Sequence, residues 1–208
     1  MARVTHRTAP CCAYFVTTKA WANRNIFQAT DTADIVIEVL LRHRTAGAYL
    51  LHEFVLMPDH LHLLLTPSRT TTLERAMQLI NGGSSYEIHK RRGHRVEIWQ
   101  PGFLEWTIRG ARDFRIKAEY IRNNPVVAKL ADTAKQWPYS SARGSFELDP
   151  PPAMFASGAK APNKASGSVS ELKLRPPIAS ASHSEIKLRH PKAGVASSEL
   201  RLRPTKEQ

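Results

Sequence analysis

Cysteine is almost missing from this 208-residue chain, and its two cysteines, Cys11 and Cys12, are neighbours. Adjacent cysteines cannot close an ordinary structural disulfide with each other, nor supply a zinc framework alone. A reducing cytoplasm fits that usage. Long apolar runs are missing too, since no stretch approaches the ~18–20 residues that span a bilayer. Met1 to Pro10 is polar and basic with no apolar segment behind it, unlike a secretory signal. Acidic residues are also few, 18 against 30 Lys and Arg, which leaves a net charge of +12. That excess suits a polyanionic partner. It is spread evenly, with 20 basic and 14 acidic residues up to position 150 and 10 and 4 beyond it, +6 in each part. Charge alone therefore does not make the first part a nucleic-acid binder; a site is needed.

The two parts differ in kind. In 151–208 the hexads starting at Ser170, Ser184 and Ser198 recur with a period of 14 residues, separated by Pro, Ala, Ser and Gly. Each hexad offers two apolar side chains, too few to offset the entropy of ordering, and stacked solenoid repeats are longer. The tail reads as disordered and basic. Residues 1–150 read as one domain. Ala13 to Thr18 is rich in β-branched and aromatic residues and predicts a strand. Ile35, Val36, Val39 and Leu40 repeat at helical spacing behind a cap at Asp31 or Thr32. Tyr49 to Leu56 predicts a second strand, and Pro58-Asp59 a turn into a third, His60 to Leu65. Thr72 to about Arg92 predicts a helix that Gly82 and Gly83 either break or bring close to another element. A short strand is expected from Phe103 to Ile108. A helix over Arg112 to Asn124 is expected to stop at Pro125, with Asn124 at its end.

The third predicted strand carries the chemistry. Successive strand residues face opposite ways, so His60 and His62 share one face while Leu61, Leu63 and Leu65 share the other. Their Cα atoms would lie roughly 6.5–7 Å apart, close enough for two imidazoles to converge on one cation. With the leucines holding the core, replacing either histidine should cost little stability. On the last helix, Tyr120 and Asn124 are one turn apart on one face. That pair also reads as a half-buried tyrosine beside a capping amide. Taken with the histidines, it offers a third neutral metal ligand and a phenol nucleophile beside an open site.

Five blocks now line up: Met57 to Leu65, Gln78 to Tyr86, Ile98 to Phe103, Tyr120 to Val126 and Trp137 to Ala142. In this order they resemble the HUH-type single-tyrosine transposases of the insertion-sequence-200 kind, and most closely the REP-associated tyrosine transposases. The resemblance implies an α+β, ferredoxin-like antiparallel sheet with helices packed on one face. It implies cleavage of single-stranded or hairpin DNA through a 5′-phosphotyrosine link, by a monomer or homodimer in the cytoplasm, associated with the nucleoid. Tyr120 would match the nucleophile, and His60, His62 and Asn124 the ligands of Mg²⁺ or Mn²⁺. Arg109, Arg112, Arg115, Lys117 and Arg122 flank the tyrosine and, with Lys90, Arg91 and Arg92, are candidates for phosphate contacts. Four positions depart from the pattern: Asp59 for an asparagine, Leu104 for a histidine, and Val127 and Lys129 for the basic residue and glycine after Asn-Pro-Val. A DNA-binding module that no longer cleaves, and a His-x-His phosphodiesterase without need of Tyr120, are the rival readings.

The tail generates a prediction of its own. A chain ending near Asp149 is expected to fold and cleave, yet to show a flatter salt dependence of DNA binding, because the ten basic residues beyond position 150 are gone. Insoluble or inactive truncated protein would show the repeats to be structural.

Overall fold

A computed structural model describes residues 12–93 and 95–155. Its main elements are β1 (Tyr14–Lys19), α1 (Thr30–Thr45), β2 (Tyr49–Leu56), β3 (His60–Pro67), α2 (Leu73–Arg92), β4 (Leu104–Thr107) and α3 (Ala111–Val127). The strands form one sheet in the order β2-β3-β1-β4, and every pairing is antiparallel. This α+β order, with β1 and β3 in the middle, is compatible with the ferredoxin-like arrangement. The repeat tail lies outside the described residues.

Both faces of the sheet are covered, which refines the expected single helical layer. Leu61, Leu63 and Leu65 join Val16, Leu51 and the apolar faces of α1 and α2 in one core. Leu64 and Val55 point the other way and pack with Phe114, Ala118 and Ile121 of α3. The reason is visible in β3 itself, where apolar residues occupy both alternations. Leu61, Leu63 and Leu65 are all fully buried. At about 1.5–3 kcal/mol for each such side chain, they far outweigh any single polar contact on the opposite face. A one-residue slip would bury the histidines under α1 and α2, so the register is strongly held.

Helix α2 runs unbroken through Gly82 and Gly83. Of the two expected outcomes there, close approach is the one realised. A Cβ on Gly83 would meet Val39 Cγ1 of α1 at 3.1 Å, whereas one on Gly82 would meet nothing within 4 Å. Ser84 is fully buried, donating to the Ile80 carbonyl (2.7 Å) and accepting from Trp99 Nε1 (2.9 Å). Thr72 caps the helix as expected, its side chain accepting from the Arg75 N–H.

Helix α3 does not stop before Pro125; it continues to Val127 with Asn124 helical and buried. The missing proline N–H removes one bond near the helix end, where little of the ladder remains to be disturbed. The helix then closes with Lys129 N–H on the Val126 carbonyl (3.0 Å) and Leu130 N–H on that of Pro125 (2.9 Å). This is a Schellman ending whose left-handed residue is Lys129, at φ 58°.

The segment after α3 returns to the free edge of β2. Trp137 Nε1 donates to the Leu56 carbonyl (2.8 Å), Leu56 N–H to that of Tyr139 (2.9 Å), and Ser141 Oγ to Glu53 Oε2 (2.6 Å). Asp149 holds Arg44 and the Leu51 N–H, each at 2.8 Å. Phe155 reaches Phe114, with ring centroids 5.9 Å apart. Packed chain thus extends to Phe155, so a truncation that removes only the tail should cut beyond it.

Lys129 sits where glycine avoids the Cβ clash of left-handed backbone. Lys129→Gly should therefore raise stability by about 0.5–1 kcal/mol, after allowing for the looser unfolded chain. Thermal or urea unfolding checks this, and a loss of stability would mean that the lysine side chain contributes contacts outweighing the strain.

Candidate active site on the α3 face

The antiparallel register of β1 with β3 sets Thr17 opposite His62 and Lys19 opposite His60. Phe15, Thr17 and Lys19 are the outward half of β1, alternating with buried Tyr14, Val16 and Thr18. On this face the two imidazoles meet almost perpendicularly, centroids 4.6 Å apart. Each has its Nδ1 engaged: His60 with Asp59 Oδ1 at 2.6 Å, His62 with Thr17 Oγ1 at 2.8 Å. A carboxylate can only accept, so His60 donates from Nδ1 to Asp59. The Thr17 hydroxyl engages the same nitrogen of His62. An Nδ1 fixed by an outer partner is how metal-binding histidines are usually oriented. Asp59 is thus more than a turn residue, and its hydrogen bond with His60 holds its carboxyl below the usual range.

His62 is almost fully buried, stacked on Phe15 at 5.3 Å. Burial pushes its pKa well below the ordinary value, and the nearby positive charge of His60, Lys19 and Lys117 adds to the effect. It is therefore a neutral imidazole in the folded protein. Because it belongs to the α3-side packing, His62→Ala should cost more than the small loss expected from the leucine argument. Removing a buried, hydrogen-bonded ring leaves a cavity and an unpaired Thr17 hydroxyl.

Helix α3 brings Tyr120 against the same cluster, its ring edge-on to His62 at 5.3 Å and to Phe15 at 5.7 Å. The helix is held to the sheet by Phe114, Ala118 and Ile121 and by the ion pair of Arg122 with buried Glu53. Burial raises the phenol pKa, while the Asn124 side chain one turn on acts in the opposite sense. Asn124 is itself buried, and its Nδ2 makes no hydrogen bond. A buried amide with an orphaned end is costly, about 1–3 kcal/mol, unless something else completes it. Turning the amide over would present Oδ1 at that place instead.

His60, His62, Tyr120 and Asn124 are thus gathered on one face. Lys117 joins them, its Nζ 4.9 Å from the Phe15 centroid and 5.0 Å from that of Trp106. Arg109, Arg112 and Arg115 are exposed at and before the start of α3. Other basic candidates serve elsewhere. Arg122 is committed to Glu53. Lys90, Arg91 and Arg92 end α2 in the opposite layer, where Arg91 pairs with Glu38 at 2.8 Å and Arg92 bonds Thr32 Oγ1 at 2.6 Å. Reading the sequence missed Phe15, Thr17 and Lys19, although their period-two alternation was available. Among the described residues no cluster of three or more His, Cys, Asp and Glu could hold a metal. Two imidazoles plus the Asn124 amide oxygen are the donors that could.

The constellation sets a histidine pair on a central strand beneath a helical tyrosine. The family model described as "Transposase IS200 like" matches residues 12–124, and the chain belongs to that family. Its relatives include the REP-associated tyrosine transposase of Escherichia coli (strain K12). The two are 26% identical over 140 residues, 61% of this chain and 78% of the relative. The fold is similar to a solved REP-associated tyrosine transposase bound to a REP hairpin. That match has a TM-score of 0.58 and 19% identity, and covers 82% of this chain and all of the other. No helix among the described residues is long and apolar enough to cross a membrane.

Buried neutral histidines make stability depend on pH. His52, bonded to Thr66 Oγ1 at 2.9 Å, is depressed by burial as His62 is. Folded pKa values below the unfolded value of 6.5 mean that stability is complete above pH 6.5 and falls as the pH drops below it. The metal-free melting temperature should decline through that window, and His62→Gln should flatten the decline. A flat profile in the wild type between pH 7 and 5 would contradict the burial of both rings.

Proposed function

We propose that this IS200-like transposase cleaves and rejoins single-stranded DNA next to a hairpin, using Tyr120 as nucleophile. The observation that carries the reading is the convergence of His60, His62, Tyr120 and Asn124 on one face of the sheet, around Phe15. The Tyr120 oxygen attacks the scissile phosphorus and loses its proton; the bond from phosphorus to the 3′ oxygen breaks, and that oxygen takes up a proton. A 5′-phosphotyrosine link and a free 3′-OH result. The link keeps the energy of the phosphodiester, so the reverse reaction rejoins strands without ATP.

A phenol whose pKa is raised by burial is a weak nucleophile at neutral pH, so charge must be supplied where it develops. Lys117 and Lys19 bring positive charge to the cluster. His60 Nε2, His62 Nε2 and the Asn124 amide oxygen would hold Mg²⁺ or Mn²⁺. Such an ion supplies Lewis-acid polarisation of a phosphate oxygen when bound. Asn124 takes part in that assignment with its amide turned over, since the orphaned Nδ2 is a donor and only Oδ1 in its place could take a cation. Asp59 and Thr17 orient the imidazoles, and the Phe15 stack shields His62 from water. The relative bound to a REP hairpin supports hairpin DNA as substrate, and a nucleoid-associated enzyme of the cytoplasm fits that substrate.

The test is a denaturation-resistant protein–DNA adduct on hairpin-bearing single strands with Mg²⁺ or Mn²⁺. Tyr120→Phe should abolish the adduct and leave hairpin affinity within a few-fold, since the ring volume is kept. His60→Ala and His62→Gln should lose cleavage at ordinary metal concentrations, and metal should raise the melting temperature of the wild type but not of these variants. Asn124→Ala should weaken the shift less, as water can replace one neutral oxygen. Near-normal cleavage by Tyr120→Phe would show that the nucleophile lies elsewhere.

A further inference from the structure

We propose that Trp106 is a stacking seat for one unpaired nucleobase of the DNA strand whose phosphate lies at Tyr120; this rests on the function proposed above. Strand β4 pairs Trp106 with Phe15 and Leu104 with Thr17, so both side chains stand on the face that carries the histidine pair. Large apolar residues there would ordinarily be covered, yet Leu104 is 70% and Trp106 45% exposed. The indole is nevertheless held in place. Its Nε1 lies 3.3 Å from Asp113 Oδ2, an oxygen that also accepts the Arg109 N–H, and Lys117 Nζ sits over the ring at 5.0 Å. The same ammonium lies over Phe15, which touches both His62 and Tyr120. A continuous track of ring, cation and ring therefore joins Trp106 to the tyrosine.

The surroundings favour a nucleotide over a protein strand. Lys117 over the indole and Arg109, whose N–H shares the Asp113 carboxylate with it, set positive charge beside the patch, which suits a polyanion and not another copy of a basic chain. A β4 of four residues is also a short edge on which to build a strand-to-strand interface. Aromatic faces accept any base and cations beside them take the backbone, the combination used for single strands. Leu104, two residues along the same face, extends the apolar floor by roughly 6.5–7 Å.

The test uses the full chain and a hairpin oligonucleotide with a single-stranded extension, intact or with one abasic site moved through that extension. Wild type should show one position where the abasic site weakens binding by roughly 5- to 100-fold. Trp106→Ala should be indifferent to base loss at that position, and Trp106→Phe should keep part of the discrimination. The seat is overturned if wild type senses no abasic position, or if Trp106→Ala senses the same one as strongly. A DNA-free dimer that dissociates on Trp106→Ala would give the patch to a second copy and also overturn it. These outcomes are separate from failure of the function itself, which would appear as no hairpin binding or no Tyr120 adduct with intact DNA, and would remove the seat as well.

Discussion

The burial of Leu61, Leu63 and Leu65 beneath α1 and α2 is the constraint from which the rest of the site follows. Strand side chains alternate, so committing three leucines to one face leaves His60 and His62 no choice but the other. The stabilisation from that burial is several kcal/mol, far more than the histidine hydrogen bonds contribute, so the leucines set the register and the histidines inherit it. Only then do the local bonds matter. Asp59 and Thr17 take Nδ1 of each ring and leave Nε2 of each to other partners. The site is preorganised by the packing of residues that never touch it.

The second face solves a different problem, how to hold a tyrosine near two imidazoles without a covalent tie. Phe114, Ala118 and Ile121 give α3 its adhesion, and the Arg122–Glu53 pair fixes its position along β2. Glu53 is buried and also receives the Ser141 hydroxyl, so its charge is matched rather than stranded. The resulting burial has a chemical cost, for it raises the phenol pKa and leaves Asn124 with an unsatisfied nitrogen. Positive charge beside the phenol answers the first deficit, and an acceptor oxygen beside Asn124 Nδ2 would answer the second.

Much of this was legible in the sequence, and the failures share a cause. The boundaries of β2, the Thr72 cap, the shared face of His60 and His62, and the one-turn spacing of Tyr120 and Asn124 all follow from periodicities of 2 and 3.6. Periodicity says which residues share a face but not which element that face meets. It therefore could not place α3 opposite α1 and α2, nor show that Gly83 makes room for Val39. Local rules also misjudged Pro125, because the proline rule describes an isolated helix, and here α3 is held up to and including it by Ile121 and the buried Asn124 and Pro125. Asp59 was read only as a turn former, since its bond to His60 appears only once the strand is built.

The basic residues show why charge was the least readable feature. A count of Lys and Arg treats all alike, yet the fold divides them by partner. Arg44 is held by Asp149, Arg91 by Glu38, Arg92 by Asp31 and Arg122 by Glu53, and these pairs join one element to another. Pairing cancels their field at a distance, so they add little to attraction of a polyanion. Lys19, Lys117, Arg109, Arg112 and Arg115 show no acidic partner for their side chains among the described ion pairs, and Lys117 is set over aromatic rings instead. A cation over a ring keeps its charge while losing mobility. Residues 1–150 carry only +6 overall, but pairing leaves the effective excess with the cations of α3, its approach and the end of β1. A modestly basic domain can in this way present a strongly basic face to DNA, with the direction of that face set by which arginines the core has already used.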